Sequence, residues 1–224
     1  MSLTIVWLLC MVVPLGMGLW AQSKVKRTFA KWSEVPVRNG LTGAQAAAEV
    51  VRASGLPNVE IRPVEGRLSD HYDPRNRTLN LSPDVGQAAT VAALGVAAHE
   101  AGHAIQDARG YWPMRVRQTV VPAASIGSSL AFPLIFLGFI LGSLGLVNVG
   151  LALFTAIVLF QLITLPVEFD ASRRALVALN DGGLLQADEL NGAKQVLSAA
   201  AWTYVAAFVA SVAQLIYFFL ASRR

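Results

Sequence analysis

Apolar and polar positions are sharply segregated along this chain of 224 residues. Residues 1–21, 118–167 and 199–222 contain no Asp, Glu, Lys or Arg. Every ionic side chain falls in 22–117, in 168–198 or in the final pair Arg223 and Arg224. A helix that crosses a bilayer needs roughly 20 apolar residues. The 50-residue middle block is therefore long enough for two passes, broken near Gly142–Asn148. The pattern predicts four transmembrane helices, near 3–21, 119–141, 146–167 and 199–221. The first reads as an uncleaved anchor, because its basic residues follow the apolar run instead of preceding it. The chain then divides into an anchor (1–21), a polar segment (22–117), a two-span hairpin (118–167), a second polar segment (168–198) and a last span (199–224).

The polar segments carry shorter patterns. Residues 42–55 (TGAQAAAEVVRASG) predict a helix, with Thr42 as N-cap and Gly55 as its stop. Residues 58–63 predict a short strand, and 68–81 (LSDHYDPRNRTLNL) a β-hairpin turning at Asp73-Pro74-Arg75-Asn76. Ser82-Pro83-Asp84 has the order of a helix start: cap, proline in the first turn, acid near the positive end of the dipole. That helix is expected to run to about Asp107. Its stretch 88–98 is apolar enough to be buried and too short to span a bilayer. Residues 168–180 continue the third span as helix, Asp181-Gly182-Gly183 breaks it, and 186–198 resumes it.

Charge gives the orientation. Lys24, Lys26, Arg27 and Lys31 follow the first span, Arg109, Arg115 and Arg117 precede the second, and Arg173 and Arg174 follow the third. Basic flanks mark the cytoplasmic side. Both polar segments are thus expected inside and the N-terminus outside, with Arg223 and Arg224 outside against the rule. The net charge of +4 then reflects membrane orientation, or contact with anionic lipid, and no nucleic-acid partner is expected. The spans hold no ionisable side chain, which argues against a transporter. Trp7, Trp20, Trp202, Tyr204 and Tyr217 fall near span ends, as an aromatic belt does. A single cysteine, Cys10, excludes a disulfide framework and a Cys-rich zinc site.

One segment carries chemistry. His99-Glu100-Ala101-Gly102-His103 is an HExxH motif. Residues four apart share a helix face, so both imidazoles can converge on one ion. Zinc is served by two neutral imidazoles and a carboxylate, with one position left for water. Glu100 projects beside such an ion, which suits a base acting on water. The third ligand must come from elsewhere, and His71, Asp107, Glu168 and Asp170 are the candidates. Asp107, four residues past His103, reads as support for an imidazole or as a solvated carboxylate near the helix end. His71 lies in the hairpin, facing solvent or substrate. Glu168 and Asp170 stand at the predicted cytoplasmic end of the third span, on the side of His99 and His103. A carboxylate there is either functional or paired with Arg173 or Arg174.

Three blocks in order, LSDHYDPRNRTLNLSPDV, VAALGVAAHEAGHAIQ and LPVEFDASRRA, resemble the bacterial YugP-type family of neutral zinc metallopeptidases. The resemblance covers nearly the whole chain. More distantly it extends to the HtpX and CAAX-protease membrane gluzincins, which place two spans between the HExxH helix and a Glu ligand in an E-x-x-A-D block. The matching stretch is Glu168-Phe169-Asp170-Ala171-Ser172. The resemblance implies Glu168 as third ligand, while Ser172 departs from the relatives' Asp.

The fold class expected is a mainly α integral membrane protein of about four transmembrane helices, with a small cytoplasmic α+β zincin-like unit holding a β-hairpin and the HExxH helix. The function expected is a zinc-dependent endopeptidase in the bacterial inner membrane, its site facing the cytoplasm. Its cofactor is Zn²⁺. Its partners are a protein or peptide substrate, the lipid bilayer and other membrane proteins, and membrane protein quality control is one setting for it. Glu100 is the expected general base. Tyr72, His71 and Arg173 are candidates for supporting the developing oxyanion. The competing reading is an inactive scaffold on a metalloprotease fold.

Overall fold

The computed structural model describes residues 3–66 and 69–223. Leu68, the first residue of the expected hairpin, and Arg224, half of the terminal arginine pair, lie outside the described residues. The order of elements is α1 (Leu3–Ser33), α2 (Gly43–Ala53), β1 (Glu60–Pro63), β2 (His71–Asp73), β3 (Thr78–Leu81), α3 (Pro83–Gly86), α4 (Val91–Ala108), α5 (Trp112–Leu141), α6 (Leu144–Asp181) and α7 (Ala187–Ala221). The protein is mostly helical, and its four longest helices are apolar enough to cross a membrane. They contain the four expected spans.

The chain divides into two compact units. One comprises α1 up to Gln22, Pro113–Pro166, and α7 from Trp202. Its core is built by Ala131, Ile135, Val147, Leu151, Phe154, Val158 and Phe218. Small residues let the helices approach: a Cβ on Gly150 would stand 2.9 Å from the Ala131 carbonyl oxygen. Close backbone contact of this kind is how helices pack where water supplies no hydrophobic drive. Leu15, Leu19, Ile126 and Ile140 are each at least 60% exposed. An outward face this apolar is suited to lipid, not water.

The other unit comprises Ser23–Trp112 and Val167–Ala201. Thr42 caps α2: its hydroxyl accepts from the Gln45 N–H, and the Gln45 side chain accepts from the Thr42 N–H. This reciprocal pair is a capping box. Gly55 follows with φ +76°, the left-handed conformation that ends helices. The sheet has the order β1-β3-β2, with β1 parallel and β2 antiparallel to β3. Tyr72 lies opposite Leu79, and Asp73 opposite Thr78. Asp73 closes the turn by accepting from the Arg75 N–H and the Asn76 amide. Arg77 completes it with φ 54°.

The helix expected from Pro83 to Asp107 is instead two helices. α3 ends at Gly86 and α4 starts at Val91 behind a new cap, Thr90, whose hydroxyl accepts from the Ala93 N–H. Tertiary pairing overrides local propensity here. Residues 88–91 bond to the segment that joins α1 to α2 and to the start of α2, through Val37 N–H to Ala89 O, Gly43 N–H to Ala88 O and Val91 N–H to Val35 O. The Ser82 side chain makes no cap bond. It donates to Asp70, which also accepts from the Ser82 N–H. α4 is then buried along nearly its whole length, from Val91 to Gln106. Its surroundings include Leu79, Val50, Ala175, Leu179 and Ala193.

Candidate metal centre

α4 carries His99, Glu100 and His103, and α6 carries Glu168. The two helices meet at Gly102. A Cβ there would stand 2.5 Å from the carbonyl oxygen of Ala171, so the residue between the histidines must be glycine for this approach. Ala171 lies one turn beyond Glu168, and the contact therefore sets the carboxylate against the histidine pair.

The donors converge. Glu168 Oε2 lies 3.3 Å from His99 Nε2 and 3.7 Å from His103 Nε2. One ligand atom from each of the three residues falls within 4.8 Å of the others. Donors bound at about 2.0–2.1 Å around a tetrahedral zinc stand about 3.3–3.4 Å apart. The spacing and the donor types thus fit zinc. Glu168 and His103 are buried, while His99 is partly covered.

The remaining ring nitrogens are engaged. His99 Nδ1 lies 3.1 Å from Ser172 Oγ, and His103 Nδ1 lies 3.0 Å from Gln106 Oε1. Ser172 thus stands against the ring of His99. Gln106 is fully buried and donates to Val167 O at 2.8 Å and to Asp170 Oδ2 at 2.9 Å. Asp170 is held in turn by Arg173 and Arg174. Burial pushes the pKa of the His103 imidazole down. Hydrogen bonding to Glu168 and the charges of Glu100 and Glu168 outweigh it, and the pKa ends above the ordinary value.

Glu100 is 8% exposed and accepts from the backbone N–H of Tyr72, at 3.0 Å on Oε2. The Tyr72 hydroxyl donates to Asp107 at 3.0 Å. Burial, reinforced by that carboxylate, raises the phenol pKa and keeps its proton in place. Asp107 reads from the sequence as support for an imidazole or as a solvated carboxylate; in the structure it accepts from Tyr72, while Gln106 and Ser172 contact the imidazoles. β2 is an edge strand, yet its outward N–H at Tyr72 is committed to Glu100.

Two other expected residues, His71 and Arg173, hydrogen-bond to groups other than the histidine rings. His71 is exposed, with Nδ1 2.8 Å from Ser69 O and Nε2 3.2 Å from the Asn80 amide. Both its ring nitrogens are used within the hairpin. Arg173 is turned to Asp170. Gln106 is the residue the sequence reading missed. Its signal was the spacing of three from His103, which puts both side chains on one helix face.

A family described as "Putative neutral zinc metallopeptidase" matches residues 7–223. The chain belongs to this metallopeptidase family. It is 45% identical over 208 residues to "Putative membrane protease YugP" of Bacillus subtilis (strain 168), covering 92% of each chain. No solved structure matches. For a zinc metallopeptidase family member, the four long apolar helices describe a multi-pass membrane protein.

Proposed function

We propose that this protein is a zinc-dependent endopeptidase of the membrane, hydrolysing peptide bonds of protein substrates on its cytoplasmic side. The observation that carries the reading is the convergence of His99, His103 and Glu168 beside the anchored carboxylate of Glu100. In this reading the three converging residues hold the metal and Glu100 is the general base. Zinc so held supplies the Lewis acidity that activates water and polarises a scissile carbonyl.

The protein's own groups do the rest. Each imidazole presents Nε2, because Nδ1 is engaged by Ser172 or Gln106. Glu168 brings the negative charge that balances the cation. The Tyr72 amide fixes Oε2 of Glu100, so the proton moves through Oε1: taken from the attacking water, then given to the leaving nitrogen. Burial of Glu100 keeps bulk water from competing for that proton. The basic residues flanking the spans support a cytoplasmic site.

The test is Glu100→Gln in the full-length protein in detergent. Zinc content should stay at the wild-type level while peptidase activity falls by about 10²–10⁴-fold, the usual contribution of a general base. Wild-type activity in this variant, or a wild-type protein that takes up no zinc, would refute the reading.

A further inference from the structure

We propose that Gln106 is a positioning residue for His103: it fixes the proton on Nδ1 and so presents the Nε2 lone pair to the metal. This rests on the reading of His103 as a ligand, and it extends that reading to a residue outside the HExxH motif.

The argument is one of donors and acceptors. A carboxamide has one oxygen that accepts and one nitrogen that donates twice. The Gln106 nitrogen faces Val167 O and Asp170 Oδ2. A carbonyl only accepts. Asp170, ion-paired with Arg173 and Arg174, is ionised and also only accepts. Both amide hydrogens are therefore used, and the orientation of the amide is decided. Its oxygen is left facing His103 Nδ1 at 3.0 Å. An acceptor there requires Nδ1 to carry the hydrogen, and neutral imidazole then has its lone pair on Nε2. The Nε2 atom is the one that points at Glu168.

The same amide ties two helices together. Gln106 belongs to α4, while Val167 and Asp170 flank Glu168 on α6. Gln106 thus links the backbone beside one ligand to the ring of another. A glutamate at this position would bring a carboxylate against Asp170 and the Val167 carbonyl without hydrogens to give either. A buried neutral amide meets all three partners at once. It keeps the Asp170 charge one side chain away from the imidazole, where direct carboxylate contact is the commoner arrangement.

The experiment uses the full-length protein in detergent, with ¹⁵N-labelled histidine, wild type beside Gln106→Met. Methionine keeps the length of the side chain, has no hydrogen to donate and offers only a weakly accepting sulfur. In the metal-free wild type at alkaline pH, His103 should show the Nδ1–H tautomer. In Gln106→Met that preference should be lost while the His99 signals stay unchanged, because the Ser172 contact at that ring is left in place. A general loosening of the helices would disturb both rings alike. Zinc affinity, from competition with a chelator, should weaken by about 10–100-fold, the usual cost of losing such a partner. If Gln106→Met fails to fold, the wild-type tautomer still decides. An Nε2–H or mixed His103 overturns the inference, as does Gln106→Met with wild-type tautomer and zinc affinity. If instead His103→Ala binds zinc as well as wild type does, the ligand reading itself fails and the inference falls with it.

Discussion

Gly102→Ala adds one methyl group where α4 meets α6. Its carbon would stand 2.5 Å from the Ala171 carbonyl oxygen and 3.1 Å from the carbonyl carbon. Both are backbone atoms inside a helix, and no rotamer change relieves them. Real contacts of this type essentially never fall under 3.0 Å, so the helices must part by at least about 0.5 Å. Alanine favours α4 by about 1 kcal/mol over glycine, while overpacking a tight contact costs about 1–3 kcal/mol. The net loss of stability is thus modest, a few degrees in Tm.

The effect on metal binding is larger. Gly102 sits between the two histidines, and Ala171 is one turn from Glu168, so the displacement passes into the donor spacings of 3.3 and 3.7 Å. Metal–ligand distances tolerate only about 0.2 Å. Zinc affinity by chelator competition should weaken at least about tenfold, with helix content unchanged by circular dichroism. Gly95→Ala is the control. There the new Cβ would lie 3.3 Å from a side-chain methyl, that of Ala193, and zinc affinity should hold. The reasoning is refuted if Gly102→Ala binds zinc like wild type, or if Gly95→Ala loses zinc to the same extent.

Two further outcomes follow from the site. Tyr72→Phe removes the hydroxyl donor to Asp107 and keeps the amide on Glu100. It should lower stability by about 0.5–1.5 kcal/mol in thermal or denaturant unfolding and leave kcat within a few-fold. A collapse of kcat at normal stability would mean that the hydroxyl acts on the substrate. Acidification should release zinc. In the metal-free site His103 holds its proton more tightly than an ordinary histidine, and that proton competes for Nε2. Affinity is therefore full above the raised pKa and falls as pH drops through it, by about tenfold per pH unit for each proton displaced. Isothermal titration across pH reads this directly, and an affinity flat down to mildly acidic pH would contradict it.

Features fixed by spacing or by local chemistry were legible in the sequence. The charge-free blocks foretold four apolar helices, because solvation of charge acts residue by residue. Thr42 announced its helix and Asp73 its turn, since caps and turns are satisfied by neighbours within three residues. The two histidines share a face by helix period alone. What escaped depended on partners far along the chain. Gln87, Ala88 and Ala89 suit a helix, and only pairing with residues 35–43 breaks it. Asp107 carries the right spacing to assist His103, yet its partner is Tyr72, on the hairpin. Gln106 looks like any helix-forming residue until Asp170 and the Val167 carbonyl arrive from α6 to orient it.

Tyr72 grips α4 at two points. Its backbone amide reaches Glu100 and its hydroxyl reaches Asp107, seven residues apart and hence on one side of the helix. A strand has one face and one edge for each residue, and a slip by a single position exchanges them. The loop at residues 74–77, exposed from Arg75 to Arg77, sets that count. To an engineer it is an inviting place for an epitope tag: polar, solvent-facing and far in sequence from the histidines. Any insertion that reset the strand by one residue would turn the Tyr72 amide toward β3 and leave the Glu100 carboxylate without its anchor. The chain would still fold and carry metal, and the tagged protein would lose the proposed activity with every residue of its histidine motif unchanged.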